Sequence, residues 1–210
     1  MIHFSLFGIP IRVQPFFWIT MALIGGAIGA SSPQEILRLG LFIIAGFISI
    51  LVHELGHALT IKAFKLRPSI TLEAFGGYAS YPSGILTRPQ SFLVTAAGPA
   101  IQLILAAIAY AALHLPAVAA NSNLKYFTAK LFVISAFWAL LNLLPILPLD
   151  GGRLVEAVLG PKRIKIILWI TIVTSILAAA LLFPYTGPFF LIFLGFFAYQ
   201  AFQELKNRRG

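Results

Sequence analysis

The sequence predicts an all-α polytopic membrane protein of about six transmembrane helices, with a short β-hairpin between the second and the third. Three observations carry this. Hydrophobic residues make up 60% of the 210-residue chain, charged residues only 10%, and the mean hydropathy is +0.94, so a soluble domain of this size could not clothe itself in polar surface. Apolar runs recur at the ~20-residue length that crosses a bilayer. Between them stand the breakers Ser31-Ser32-Pro33, Leu115-Pro116, Asn121-Ser122-Asn123 and Pro184-Tyr185-Thr186-Gly187-Pro188.

The first run covers residues 13–30. Its start lacks the positive charge of a secretory leader and its end lacks a good cleavage site, so it reads as a retained helix. The second run, 36–61, is long enough to tilt or protrude. After it, Ser69 to Tyr81 reads as two short strands around Gly76-Gly77, a hairpin over residues 69–81. The remaining runs are 92–113, 127–147, 164–183 and 189–202, the last short and rich in Phe. With these spans subtracted, no segment is long enough for a folded accessory module, and residues 1–210 read as one membrane-embedded domain.

The net charge of +9 is not gathered on a polar face, so nucleic acid is not an expected partner. The basic residues lie between apolar runs, where they set topology. With the amino terminus inside, twelve fall on the inner side (Arg12, Lys62, Lys65, Arg67, Arg88, Arg153, Lys162, Arg163, Lys165, Lys206, Arg208 and Arg209) and three on the outer (Arg38, Lys125 and Lys130). The positive-inside rule then puts both termini in the cytoplasm. Cysteine is absent, so disulfides and thiolate metal sites are excluded and any transition metal must use His, Asp or Glu.

The second run carries His53-Glu54-Leu55-Gly56-His57. A carboxylate at bilayer depth costs about 2.5–3.5 kcal/mol on insertion scales, so its presence calls for compensation, and a metal ion would supply it. On a helix, His53 and His57 project from one face about 6 Å apart along the axis, which suits two ligands of one tetrahedral zinc. Glu54 turns about 100° from His53, where it can take a proton from bound water without being a ligand. Gly56 leaves room for close approach. The competing reading, a satisfied helix-surface motif, would leave three polar side chains unpaired in an apolar span.

A catalytic zinc has three protein ligands and an open position. Of six acids, Glu35, Glu73, Glu156 and Glu204 lie in or beside loops, and Asp150 is the remaining candidate. It ends the segment Asn142-Leu-Leu-Pro145-Ile-Leu-Pro148-Leu-Asp150-Gly151, whose prolines interrupt the fourth helix and whose Gly151-Gly152 permits a sharp turn. Broken backbone at membrane depth is tolerated where it lines a cavity. The competing reading of Asp150 is a loop aspartate capping the next helix at Leu154.

His53-Glu-Leu-Gly-His57 followed by Asn142-x-x-Pro145-x-x-Pro148-x-Asp150-Gly151 resembles the site-2 protease family of intramembrane zinc metalloproteases. The resemblance runs from Gly8-Ile-Pro-Ile-Arg12 through the Asp-Gly segment; the last two helices match only in kind. It implies one Zn2+ held by His53, His57 and Asp150, with Glu54 activating the bound water. It also implies that Asn142 hydrogen-bonds substrate backbone or the developing oxyanion, where the residues alone equally allow a helix–helix hydrogen bond. Pro145, Pro148 and Gly151 would shape the site. The hairpin, at Phe75, Gly76, Gly77 and Tyr78, would be the membrane-associated element whose edge pairs with an extended substrate; on turn chemistry alone it is an ordinary hairpin. Ala96-Ala97-Gly98-Pro99 resembles the family's small-residue segment and reads as packing, while Gln102 stands where the family often has the shorter asparagine. His3 and His114 are not expected ligands, and Trp18, Trp138 and Trp169 read as belt or packing residues.

The implied activity is regulated intramembrane proteolysis: hydrolysis within or near transmembrane segments of single-pass proteins, such as a tethered transcription regulator or a trimmed signal-peptide remnant. Membrane lipid is the other implied partner, and a prokaryotic host would place the chain in the cell membrane. Two rivals differ in class. A metal transporter or sensor would use the same His/His/Asp site but should have a second ionisable cluster in the outer half, and none is found. A scaffold without catalysis would have no use for Glu54.

Overall fold

The structure, a computed structural model, describes residues 1–208 apart from 75, 83 and 187. In chain order the elements are β1 (Ile2–Leu6), β2 (Ile9–Val13), α1 (Pro15–Ile24), α2 (Pro33–Ala63), β3 (Ser69–Glu73), β4 (Gly76–Ser80), α3 (Arg88–Ala112), α4 (Pro116–Ala120), α5 (Ser122–Asn142), α6 (Asp150–Leu159), α7 (Ile164–Thr186) and α8 (Pro188–Asn207), with a 3-10 turn at Pro161–Arg163. They gather into two units, residues 1–85 with 97–139, and residues 86–96 with 140–210.

In the first unit the expected hairpin is half of a four-stranded sheet, ordered β1-β2-β3-β4. β1 and β2 pair antiparallel, as do β3 and β4, while β2 joins β3 in parallel with Ile11 opposite Ile70 and Val13 opposite Leu72. Alternation along β2 buries Ile9, Ile11 and Val13 and leaves Pro10 and Arg12 outside, the period-2 signature of a half-buried strand. Those three side chains, with Ile70 and Leu72, pack on Phe17 and Met21 of α1 and on Ile50, Leu51, Leu55 and Ala58 of α2. The sheet therefore lies against the part of α2 that carries the His-Glu-x-x-His motif.

The expected first span, 13–30, divides differently. Val13 closes β2, the helix is only Pro15–Ile24, and Gly25 and Gly26 end it, the latter at φ +91°. Ten residues rise about 15 Å, half of a ~30 Å hydrocarbon core. By contrast, the 31 residues of α2 rise about 46 Å. A capping box starts that helix: the Glu35 amide donates to Ser32 Oγ at 3.3 Å, and the Ser32 amide donates to Glu35 Oε2 at 2.9 Å. At its far end Lys62 Nζ donates to the Phe7 carbonyl at 2.6 Å, tying the β1–β2 turn to the helix.

In the second unit α7 and α8 pack against each other, with Leu168 near the start of one beside Ala201 and Leu205 near the end of the other. Arg88 closes the carboxyl end of α6, where its guanidinium donates to the carbonyls of Ala157 at 3.0 Å and Val158 at 2.5 Å. A cation there also complements the helix dipole. The expected fourth span, 127–147, is shifted: α5 starts at Ser122 and stops at Asn142, because Pro145 and Pro148 follow.

Among the described residues four helices are long and apolar enough to cross a membrane: Pro33–Ala63, Arg88–Ala112, Ser122–Asn142 and Pro161–Tyr185. Ile104, Ile108, Val133, Val173, Ile176 and Leu177 are exposed along them, while Ser49, Gln102, Ser135, Thr171 and Ser175 are buried. Apolar outside and polar inside is the arrangement of a protein solvated by lipid. The chain is an integral membrane protein.

Candidate metal centre

α2 delivers His53, Glu54 and His57 into the interior of the first unit, with relative exposures of 4%, 4% and 8%. The two imidazoles meet edge to face with centroids 4.7 Å apart, and their Nε2 atoms are 3.0 Å apart. Two nitrogens each 2.0–2.1 Å from one tetrahedral zinc would be roughly 3.4 Å apart, so these nitrogens converge as a ligand pair does.

The other nitrogen of His53 is engaged as well. Its Nδ1 lies 2.9 Å from Oε1 of Gln102 on α3. The Gln102 amide nitrogen donates to Ser49 Oγ at 2.9 Å and to the Ser49 carbonyl at 3.3 Å, and Ser135 Oγ on α5 donates to the same Ser49 hydroxyl at 2.9 Å. Gln102 is fully buried. Sequence reasoning left this residue without a firm role; the signal was a buried-type amide in an apolar helix, but its target lies on another helix.

Close approach of α3 to α2 depends on small residues. A Cβ added at Gly98 would overlap the His57 ring, and one added at Gly56 would fall 2.6 Å from the Ala97 carbonyl oxygen. The small-residue segment thus does more than pack helices: it makes the space in which the second imidazole lies. Next to the motif stands the hairpin. A Cβ on Gly77 would fall 2.8 Å from Cγ and 3.0 Å from Oε1 of Glu54, so the carboxylate lies directly against β4. β4 is an edge of the sheet. Gly76 and Tyr78 belong to the same strand, whereas Phe75 lies outside the described residues.

In the second unit, Asn142 ends α5 and Asp150 opens α6. The cap position of α6 is Leu149, with no side-chain cap, so Asp150 is the first helical residue rather than the capping one. The intervening chain carries Pro145 and Pro148, and the Leu147 amide donates to Thr171 Oγ1 of α7 at 3.1 Å. Gly151 lies against the carbonyl oxygens of Leu143 and Leu144, with no room for a side chain. The Gly-Gly pair is therefore required by this close return of the chain.

The profile of the Peptidase family M50 matches residues 41–118 and 113–183, which include both motifs. The chain belongs to peptidase family M50. Among its relatives are the candidate zinc metalloprotease sll0528 of Synechocystis, 32% identical over 93% of this chain, and the zinc metalloprotease MJ0392 of Methanocaldococcus jannaschii, 26% identical over 76%. Stage IV sporulation protein FB of Bacillus subtilis is 34% identical over 69%. This M50 chain spans 57%, 45% and 46% of those relatives, about half their length. A solved site-2 protease from Methanocaldococcus jannaschii superposes with a TM-score of 0.63, covering 97% of this chain and 94% of that one at 24% identity, which establishes the fold.

The residues present fit the zinc that the family's named metalloproteases carry. The first unit offers the imidazole nitrogens of His53 and His57, and the second unit carries the carboxylate of Asp150; both are donor types that catalytic zinc uses.

Proposed function

We propose that this M50 chain is a zinc-dependent intramembrane endopeptidase, acting as a single domain on peptide bonds within or near the transmembrane segments of single-pass proteins. The observation that supports it most is the convergence of two buried imidazole nitrogens with a buried carboxylate lying against an edge strand. His53 and His57 would hold the zinc and Asp150 would complete the set. When bound, zinc lowers the pKa of a coordinated water and polarises the scissile carbonyl.

The chain's own groups do the rest. Glu54 takes a proton from the attacking water and returns it to the departing amine. Asn142 hydrogen-bonds the substrate backbone as charge develops on the carbonyl oxygen. A peptide bond inside a helix is shielded, so the substrate must first become extended, and every released backbone group needs a partner in lipid. The edge of β4, at Gly76, Gly77 and Tyr78, would supply those partners, and Gly77 brings that strand into contact with Glu54.

Membrane-tethered transcription regulators and trimmed signal-peptide remnants are substrates of the required form. The distribution of basic segments supports cytoplasmic termini, with the His-Glu-x-x-His level in the inner half. The relatives named as metalloproteases give the transport reading no support. Membrane proteomics of the native host carrying either the intact chain or Glu54→Gln tests the proposal. Single-pass proteins should accumulate uncut in the mutant; a change in cellular zinc with every membrane fragment unaltered would move transport ahead.

A further inference from the structure

We infer that Gln102 is a positioning residue for His53, fixing which ring nitrogen is offered to the metal; this rests on the zinc reading above. Ser49 and His53 are four residues apart on α2 and so share one helix face. The Gln102 side chain crosses from α3 and grips both ends of that turn, with its amide nitrogen on Ser49 and its amide oxygen on His53. The Ser49 carbonyl can only accept, so the group facing it must be the NH2 of the amide. The oxygen therefore faces His53, and the Nδ1 atom beside it must carry the proton.

With Nδ1–H donating to Gln102, the lone pair of His53 is on Nε2, the atom 3.0 Å from His57 Nε2. Ser135 extends the lock from a third helix by donating to Ser49 Oγ. The whole arrangement is buried, with Ser49, Gln102 and Ser135 each at 0% exposure, so water cannot substitute for any member. It uses the length of glutamine. Asparagine would shorten the reach by about 1.5 Å, one carbon–carbon bond, and could not hold both hydrogen bonds across the same helix separation.

The test uses full-length protein in nanodiscs and zinc competed against a chelator of known affinity. Partners of this type typically contribute 10–100-fold in metal affinity. Gln102→Leu should raise the zinc Kd by about 10–100-fold, while Gln102→Glu, which keeps an acceptor at Nδ1, should restore most of it, with Gln102→Asn in between. In zinc-free protein, nitrogen-15 NMR on the four histidines should show His53 protonated at Nδ1 in the wild type and shifted toward the Nε2–H tautomer in Gln102→Leu. A purely structural role would lower thermal stability without moving that signal.

If Gln102→Leu does not fold, Ser49→Ala serves instead, since alanine keeps the helix and removes only the hydroxyl. Its zinc Kd should rise, and an unchanged Kd overturns the inference. Equal zinc affinity in wild type and Gln102→Leu, or a Gln102→Glu as weak as the leucine variant, also overturns it. A wild-type chain that binds no zinc through His53 overturns both this inference and the proposed function.

Discussion

Gly98→Ala is the smallest change that separates the site from the fold. The added Cβ would fall 2.8 Å from Cδ2 of His57 and closer still to Nε2 and Cε1. Ordinary contact begins at 3.4 Å, so the ring must withdraw by at least 3.4 − 2.8, about 0.6 Å, and further at the ligating nitrogen. Metal–ligand distances tolerate about ±0.2 Å around a Zn–N length of 2.0–2.1 Å, so the displacement is about three times the tolerance. The ring cannot rotate freely into spare volume, because His57 is 8% exposed and its centroid lies 4.7 Å from that of His53.

The alternative is for α3 to move away, at the ~1–3 kcal/mol typical of an overpacked core. Gly56→Ala is the control. Its Cβ would strike the Ala97 carbonyl at 2.6 Å and Ile101 Cγ2 at 2.7 Å, so the same helix pair is forced apart without touching the imidazole. Both variants should lose thermal stability. Zinc content after dialysis, measured by mass spectrometry on folded protein, should fall far more in Gly98→Ala. Equal zinc retention in the two variants would refute the placement of His57 against Gly98.

Other predictions address the remaining parts of the site. Glu54→Gln should keep bound zinc and lose cleavage by at least ~10²-fold, as removal of a general base does; retained turnover would assign the proton to another group. Asp150→Ala should weaken zinc binding, and an unchanged metal content would remove it from the ligand set. Ser32→Ala should cost about 1 kcal/mol of stability through the lost cap on α2 while leaving zinc affinity unaltered, as read by thermal unfolding with and without chelator. Stripping zinc with a chelator should abolish cleavage reversibly, with activity returning on zinc addition.

What the sequence made legible follows from how local each signal is. His53, Glu54 and His57 lie within five residues, so helix geometry alone puts the imidazoles on one face, and the structure brings their Nε2 atoms together. The β3–β4 hairpin is legible because the Gly76-Gly77 pair signals a turn, and the structure puts both glycines at the start of β4. Its partners could not. β1 and β2 are five residues each, and β2 runs straight into the apolar residues of α1, so the two merge into one hydrophobic stretch. The parallel pairing of Val13 with Leu72 joins positions 59 apart, and no short-range pattern announces it. Gln102 was hidden for the same reason. Its chemistry is clear only once α3 lies across the Ser49–His53 turn, 49 residues upstream. The end of α5 at Asn142 was readable in principle, since Pro145 stands three residues on, but continued hydropathy through Leu147 masked it.

The most direct measurement is cleavage by the purified chain, reconstituted in proteoliposomes with a single-pass substrate, compared with Glu54→Gln at matched zinc stoichiometry. The wild type should produce fragments whose new termini, mapped by mass spectrometry, fall within or beside the substrate's transmembrane segment, and the mutant should produce none while holding the same zinc. Fragments of equal yield from Glu54→Gln, or cuts confined to soluble regions of the substrate, would contradict it.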